Sequence, residues 1–306
     1  MTIRLYRSDD AAAPVLSGTA GSLIALLDAC LVNGYGSKPA AGWGKPFSGA
    51  NLAAYRAPVG NRLYLQVDDT SAQYPRLRGY EVMTAIDAGS GPFPTDTLLS
   101  GGGYAVKSST ASTVARPWLL VADAQAFYLY VSTDTTALTT PNYVATLFFG
   151  DLIAYKPADP WATALICRNG ATYTSSAEHF GRLAQSATVT AGHYLARNSA
   201  GTAGAVGCNA QTSLGSITCC GAGGSPYPDP VTDRLNLARI PIAEANFALR
   251  GHLPGIANPL HDRPGSQLDT VTGIDGETWL LLRIYPGTAG CIALKITGDW
   301  RAGEGA

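Results

Sequence analysis

The chain has 306 residues and a mass of 31.7 kDa, with 46% hydrophobic and only 14% charged residues, against roughly 25% charged in an ordinary soluble domain. That length can bury a full core without a metal or disulfide staple, as one large domain or two smaller ones. A formal net charge of −1 and a pI near 6.4 supply no basic field of the kind that drives phosphate binding, which argues against a nucleic-acid partner. Gly, Ala, Ser and Thr take the place of the missing charge. They suit close backbone packing and surfaces that other proteins cover, and charge depletion is what the core of a protein interface shows.

Arg4, Arg7, Asp9 and Asp10 stand where a secretory signal would need an apolar run. The longest helical apolar stretch, Leu23 to Val32, is interrupted by Asp28 and falls far short of the roughly 20 residues that span a bilayer. The expectation is a chain made and folded in a cytoplasm, without membrane insertion. Ala20, Leu23, Ile24, Leu27, Cys30 and Leu31 recur at the spacing of three and four that marks one N-terminal amphipathic helix, its stripe laid against a sheet. Ser17 or Thr19 is placed to cap its first turn, and Asn33-Gly34 ends it.

After Gly49 the chain reads as short strands between turn residues. Leu63, Leu65 and Val67 alternate with polar or amphipathic neighbours in the manner of a half-buried strand. Trp118 to Val121 leads through Asp123-Ala124-Gln125 into Phe127 to Val131 as a hairpin, and Trp279 to Ile284 with Cys291 to Ile296 repeats the device around Pro286-Gly287. Further strands are expected at Tyr143 to Phe149, Ala164 to Arg168, Leu235 to Ile242 and Phe247 to Gly251. Gly34 to Gly49, Asp87 to Gly103 and Ala200 to Pro230 are loops by composition, in a chain with 35 Gly and 19 Pro. Ordering loops of that length costs entropy that contact with neighbouring copies would offset, and active-site loops are the other reason to keep them. The fold class is therefore α+β, mainly β, with antiparallel or mixed sheets. It is either a single unit over 1–306 or two strand-rich halves dividing near 156–160, with a sheet running across that point as the alternative.

Chemistry finds few candidates. Four histidines, no H-E-x-x-H and no G-x-S-x-G leave little for a catalytic centre. Glu178-His179 is a bare dipeptide, His193 beside Tyr194 reads as structural, and His252 and His261 share no recognisable third metal ligand, Asp262 and Asp269 being merely nearby. The run Cys220 to Gly224 opens onto Ser225-Pro226 rather than a helix, and Gly44-Lys45 is followed by Pro46, so neither makes a phosphate loop. Asp68-Asp69 lacks the spacing of a calcium loop and reads as a solvated strand end. Among six cysteines, Cys30, Cys167 and Cys291 sit in apolar segments as buried thiols, while Cys208, Cys219 and Cys220 fall in the glycine-rich loop where oxidation outside the cell can occur. Tyr128 and Tyr130 share one strand face, which is either exposed or packed beneath other structure. No cofactor or metal is called for, and the chain is read as no enzyme.

Three stretches carry a resemblance: Val15 to Leu23 running into Val32 to Gly36; Ala115 to Trp118 with Ala122-Asp123 and Phe127 to Leu129; and Leu249 to Gly255 followed by Asn258 to His261. Together they resemble a group of tailed-bacteriophage virion structural proteins, generally described as structural or tail proteins. The resemblance implies assembly rather than catalysis: a homo-oligomeric subunit of a tail tip or baseplate, assembled in the host cytoplasm, whose partners are other virion proteins and copies of itself. A head decoration or connector protein is the alternative, and a receptor- or glycan-binding module that touches the host surface is the alternative of another class. Within the third stretch Gly251 and Gly255 permit unusual backbone angles and Pro254 and Pro259 rigidify the chain. Arg250 and His252 would then bond nearby carbonyls. The sharper expectation makes Arg250, Gly251, His252, Pro254, Gly255 and His261 a rigid loop that docks a neighbouring subunit.

Overall fold

A computed structural model describes residues 2–140, 144–171, 191–202, 209–210, 226–244, 248–261, 264–283 and 291–302. Within them the protein is mainly β, with antiparallel sheets and one short helix. A twelve-stranded sheet begins at Arg4–Arg7 and passes through Trp118–Ala122, Ala126–Ser132, Val144–Asp151 and Thr163–Arg168. The two-residue strand Gly103–Tyr104 then joins it to Arg76–Ala85, Tyr64–Asp68, Leu52–Arg56 and Gly44–Gly49. Ala191–Leu195 and Ala88–Phe93 pair off this path. A seven-stranded sheet is built around Leu249–Pro259, with Leu237–Ala243 on one side and Cys291–Lys295, Thr278–Arg283 and Thr270–Thr272 on the other.

Both expected hairpins form. Trp118–Ala122 faces Ala126–Ser132 in antiparallel register, and Thr278–Arg283 faces Cys291–Lys295, although Pro286-Gly287 lies outside the described residues. Every residue of Ala126–Ser132 is buried, because this part of the sheet has no solvent face. Phe127, Leu129 and Val131 enter one core with Leu23, Leu26, Leu27, Cys30 and Leu31 of the helical segment. Tyr128 and Tyr130 enter a second core with Ile242, Leu253, Ile256, Leu282 and Ile292 of the smaller sheet. The order is helix, large sheet, small sheet. Chain direction accounts for the join: after Val144–Asp151 the strand Ile153–Ala154 leaves the large sheet and pairs with Gly251 and His252 of the small one.

The division at 156–160 is not where the sheets part. Thr163–Arg168 and Ala191–Leu195, beyond that break, return to the large sheet, so one sheet runs across it. Loop expectations also yield in part, since Gly44–Gly49 and Ala88–Phe93 are strands.

The helical segment is shorter and capped differently from its sequence pattern. An α-helix covers Ser22–Leu27 and widens into a π-type turn over Asp28–Asn33, closed by Gly34 at φ 80°. Neither Ser17 nor Thr19 caps it. The cap is the Asp69 carboxylate, whose Oδ2 accepts from the amides of Leu23 at 2.7 Å and Ile24 at 3.3 Å. Asp69 is fully buried and ion-paired with Lys107, itself 1% exposed, and Lys107 Nζ also donates to Thr19 O. The solvated-strand-end reading of Asp69 is thus corrected: its charge serves the orphan amides of a helix start. Burial pushes the Asp69 carboxyl up and the Lys107 ammonium down, each opposed by the charge of the other.

Among the described residues three sheet edges are guarded. On Arg4–Arg7, Leu5 O accepts from Lys38 Nζ at 3.1 Å and Arg7 N donates to Asp10 Oδ2 at 2.8 Å, with Lys38 and Asp10 paired to each other. At the opposite edge Gly44–Gly49 carries Pro46 and an irregular register between Gly44 and Phe47; proline and bulges both discourage a further strand. In the small sheet Thr272 O accepts from Leu235 N and Leu235 O from Ile274 N. Lys107→Met would leave the Asp69 carboxylate buried without its cation, at a cost of about 3–5 kcal/mol; urea denaturation is expected to show that loss as a lower midpoint at unchanged slope.

Candidate functional site

The segment expected to dock a neighbour is not a loop. It is the central strand Leu249–Pro259, whose side chains are buried almost throughout, and this corrects the docking-loop expectation. Arg250 is 4% and His252 3% exposed, and His261, just beyond the strand, is fully buried. The two glycines have the roles expected of glycine. Gly255 sits at φ 64° with the Trp300 ring 2.1 Å from where a Cβ would stand, and a Cβ on Gly251 would lie 2.3 Å from Ile153 O. Pro254 offers its carbonyl to the Tyr128 hydroxyl at 2.8 Å.

Arg250 is the centre of a polar cluster at the junction of the two sheets. Its guanidinium donates to Asp159 Oδ2 at 2.5 and 3.2 Å, to Glu244 Oε1 at 2.7 Å and to Arg197 O at 2.7 Å. Glu244 in turn accepts from Ser199 through N–H and hydroxyl. Arg197 forks onto Glu81 of the large sheet at 2.7 and 2.8 Å and lies 5.4 Å from the centre of the Trp161 ring. Asn61 continues the chain of bonds, donating to Asp159 O, Thr163 Oγ1 and Asp151 Oδ2, and Thr163 donates to Asp151 Oδ1. Burial raises the Asp151 carboxyl, opposed by those two donors. The expected bond from Arg250 to a carbonyl is present, but two buried carboxylates outweigh it. Fork geometry explains arginine at this position, since lysine could not serve three acceptors in one plane.

The described histidines, His193, His252 and His261, are buried. His261 Nε2 accepts from Asn236 N at 2.7 Å, which places its proton on Nδ1, 2.8 Å from Pro226 O. His252 lies 5.7 Å from the Tyr155 ring. Burial, with the nearby charges of Arg239 and Arg301, lowers its pKa to about 4, so it is neutral at pH 7. His193 is fully buried within Ala191–Leu195, as a structural histidine would be. Asp269 accepts from Ser266 N, and Asp262 with Glu178-His179 lies outside the described residues. Among the described residues no group of three His, Cys, Asp or Glu could hold a metal. Cys30, Cys167 and Cys291 are buried, and burial pushes Cys167 up to about 12; Cys208, Cys219, Cys220 and the run Cys220 to Gly224 lie outside the described residues. Lys45 pairs with Asp28 at 2.6 Å. Also among the described residues, no helix is long and apolar enough to cross a membrane.

Sequence reasoning passed over Asp159, Glu244, Arg197 and Glu81, and no local signal marks them: Glu81 and Arg197 are 116 positions apart, Asp159 and Arg250 91. Compared with known proteins, the chain matches no family model and no curated protein.

Two outcomes follow for this junction. Arg250→Met strands Asp159 and Glu244 as buried carboxylates and is expected to cost about 3–5 kcal/mol, with Arg250→Lys recovering only part of it; thermal and urea unfolding measure both. His252 binds its proton more weakly folded than unfolded, so stability is complete above about pH 6.5 and falls as pH drops from there to about 4. That decline amounts to at most roughly 3 kcal/mol. His252→Asn should flatten this part of the stability-against-pH curve relative to the parent.

Proposed function

We propose that the chain is a non-enzymatic structural subunit of a tailed-phage virion, present in several copies and placed in the tail tip or baseplate. The observation that carries an assembly role is the surface: few charges, with apolar side chains standing in solvent. Val231 is 90% exposed, Val15 and Ile274 61%, and Leu249 57%. Burying such side chains against neighbours, about 25 cal/mol for each Å² of apolar surface, would favour association. The guarded edges at Arg4–Arg7, Gly44–Gly49 and Thr270–Thr272 favour neighbours that meet through side chains over an added strand there.

The virion reading rests on the three resembling stretches, and these fall at the two ends of the helical segment, in parts of the central hairpin of the large sheet and on the central strand of the small one. They are the scaffold of both cores. A resemblance concentrated there favours a shared architecture over a shared reactive site. Arg250 is committed to the junction cluster and His261 to Asn236 N and Pro226 O, which leaves neither a part in chemistry under this reading. Head decoration or connector remains the alternative position in the particle. The glycan-module alternative loses its original motive, because Tyr128 and Tyr130 are fully buried and their hydroxyls engage Pro254 O and Gln267 Nε2.

Density-purified particles from the virus or prophage that encodes this chain test the proposal. Quantitative mass spectrometry is expected to find it at a copy number that is a multiple of the tail symmetry. Absence from intact particles, or recovery only in the lysate, would overturn it.

A further inference from the structure

The far half of the large sheet has one face in the main core, while the other carries a small buried cluster of Ala54, Tyr64, Tyr80 and Met83 beside half-buried polar side chains. Tyr64–Asp68 and Arg76–Ala85 pair with Tyr64 opposite Tyr80, Gln66 opposite Arg78 and Asp68 opposite Arg76, so these six side chains share the outward face while Leu65, Val67 and Leu77 fill the core beneath. On that face a recess of about 200 Å³ is lined by Gln66, Asp68, Arg76, Arg78, Tyr80 and Asp87.

Each polar group lining it is held from outside. Gln66 and Asp87 clasp each other, Gln66 Nε2 donating to Asp87 Oδ1 at 2.5 Å and Asp87 N donating to Gln66 Oε1 at 2.8 Å. Arg76 lies 4.5 Å over the Tyr104 ring with Nη1 donating to Ser100 O. Asp68 Oδ1 takes the amide and hydroxyl of Thr70. Arg78 forks onto Asp96 through its two terminal nitrogens and interacts with the Tyr80 hydroxyl, its Nε being shut off from solvent. An oxygen entering the recess would meet the guanidinium and carboxylate side chains that line it.

Charge narrows what that oxygen belongs to. Two guanidiniums and two carboxylates line the recess and Asp96 offsets Arg78, so no net positive field draws an anion and Asp68 and Asp87 repel one. The Asp68 and Asp87 carboxylates supply acceptors beside the guanidinium donors. Neighbouring hydroxyls, each both donor and acceptor, match that alternation. The volume lies below the roughly 300–1,000 Å³ of drug-sized pockets and suits one small ring. We propose that this recess binds a single neutral monosaccharide unit, with adjacent hydroxyls bridging the Asp68 and Asp87 carboxylates and the Arg76 and Arg78 guanidiniums. The site does not depend on the subunit reading. A chain that binds sugar yet is missing from particles would sink that reading and leave this one standing.

Saturation-transfer NMR on the full chain, with the methyl glycosides of glucose, galactose, mannose and N-acetylglucosamine and with inorganic phosphate as the anion arm, tests it. At least one glycoside is expected to show transfer at millimolar concentration, with affinity reduced at least tenfold in Asp68→Asn and in Arg76→Gln, both retaining the parent's circular dichroism. Asp68→Asn keeps the shape of the side chain and the bond to Thr70, so a loss there reads the missing carboxylate rather than a lost fold. No transfer from any of the four, undiminished transfer in both variants, or displacement of the glycoside by phosphate would overturn the assignment.

Discussion

The constraint on which the rest depends is the two-sided burial of the large sheet between Trp118 and Arg168. Once Trp118–Ala122, Ala126–Ser132 and Thr163–Arg168 have every residue out of water, neither face can be left to solvent. The helical segment must cover one and the small sheet the other. The aromatic residues set that division: Phe127 and Phe149 meet Trp43 on the helix side, and Tyr128 meets Phe148 and Trp300 on the other. Truncating a buried aromatic of this kind removes both area and geometry, typically about 3–5 kcal/mol.

Water excluded from both faces is also excluded from every polar group at their margins, which explains the buried charge in a chain with so little of it. Asp69 with Lys107, and Arg250 with Asp159 and Glu244, sit where the covering layers join the sheet. Such pairs are weak sources of net stability, since desolvation consumes most of the Coulomb gain, but breaking one is costly. They act as registers. Asp69 can serve the amides of Leu23 and Ile24 only if the helix sits in one position on the sheet, and Arg250 can serve Asp159, Glu244 and Arg197 O only if the small sheet sits in one position beneath it.

Local pattern made much of this fold legible and left its joints illegible. Alternation around Leu63 to Val67 and the two hairpins could be read because strand period and turn chemistry lie within a dozen residues. The stripe of Leu23, Leu27, Cys30 and Leu31 gave the helix and the layer it covers. The same local view put a cap on Ser17 or Thr19, because the true cap, Asp69, comes from 46 positions away. It carries the strand no further than Gly251 and makes the segment beyond a rigid loop on account of its glycines and prolines, whereas Gly251 and Gly255 answer to partners distant in the chain, Ile153 and Trp300. Tyr128 and Tyr130 were ambiguous for the reason that makes them important: a strand buried on both faces shows no alternation that tells one side from the other.

The two halves of the large sheet therefore differ in what they can do. Where it is covered on both sides, Asp69, Lys107, Asp159, Glu244 and Arg250 are committed to holding layers together, and a ligand would have to displace a structural bond to reach them. Past Gly103–Tyr104 the small sheet no longer covers the outer face, and polar side chains there can be fixed by their neighbours and still keep capacity turned outward. Gln66, Asp68, Arg76 and Arg78 are held in this way, their orientation fixed before anything binds. That preorganisation is what allows a shallow recess to select by hydrogen-bond pattern, since little side-chain entropy remains to be lost. Its residues project from strands rather than loops, so the positions of donors and acceptors follow from strand register, and a shift of one residue would turn the whole set into the core. Leu65, Val67 and Leu77 prevent that shift, and the packing that holds the layers together also holds the recess in shape.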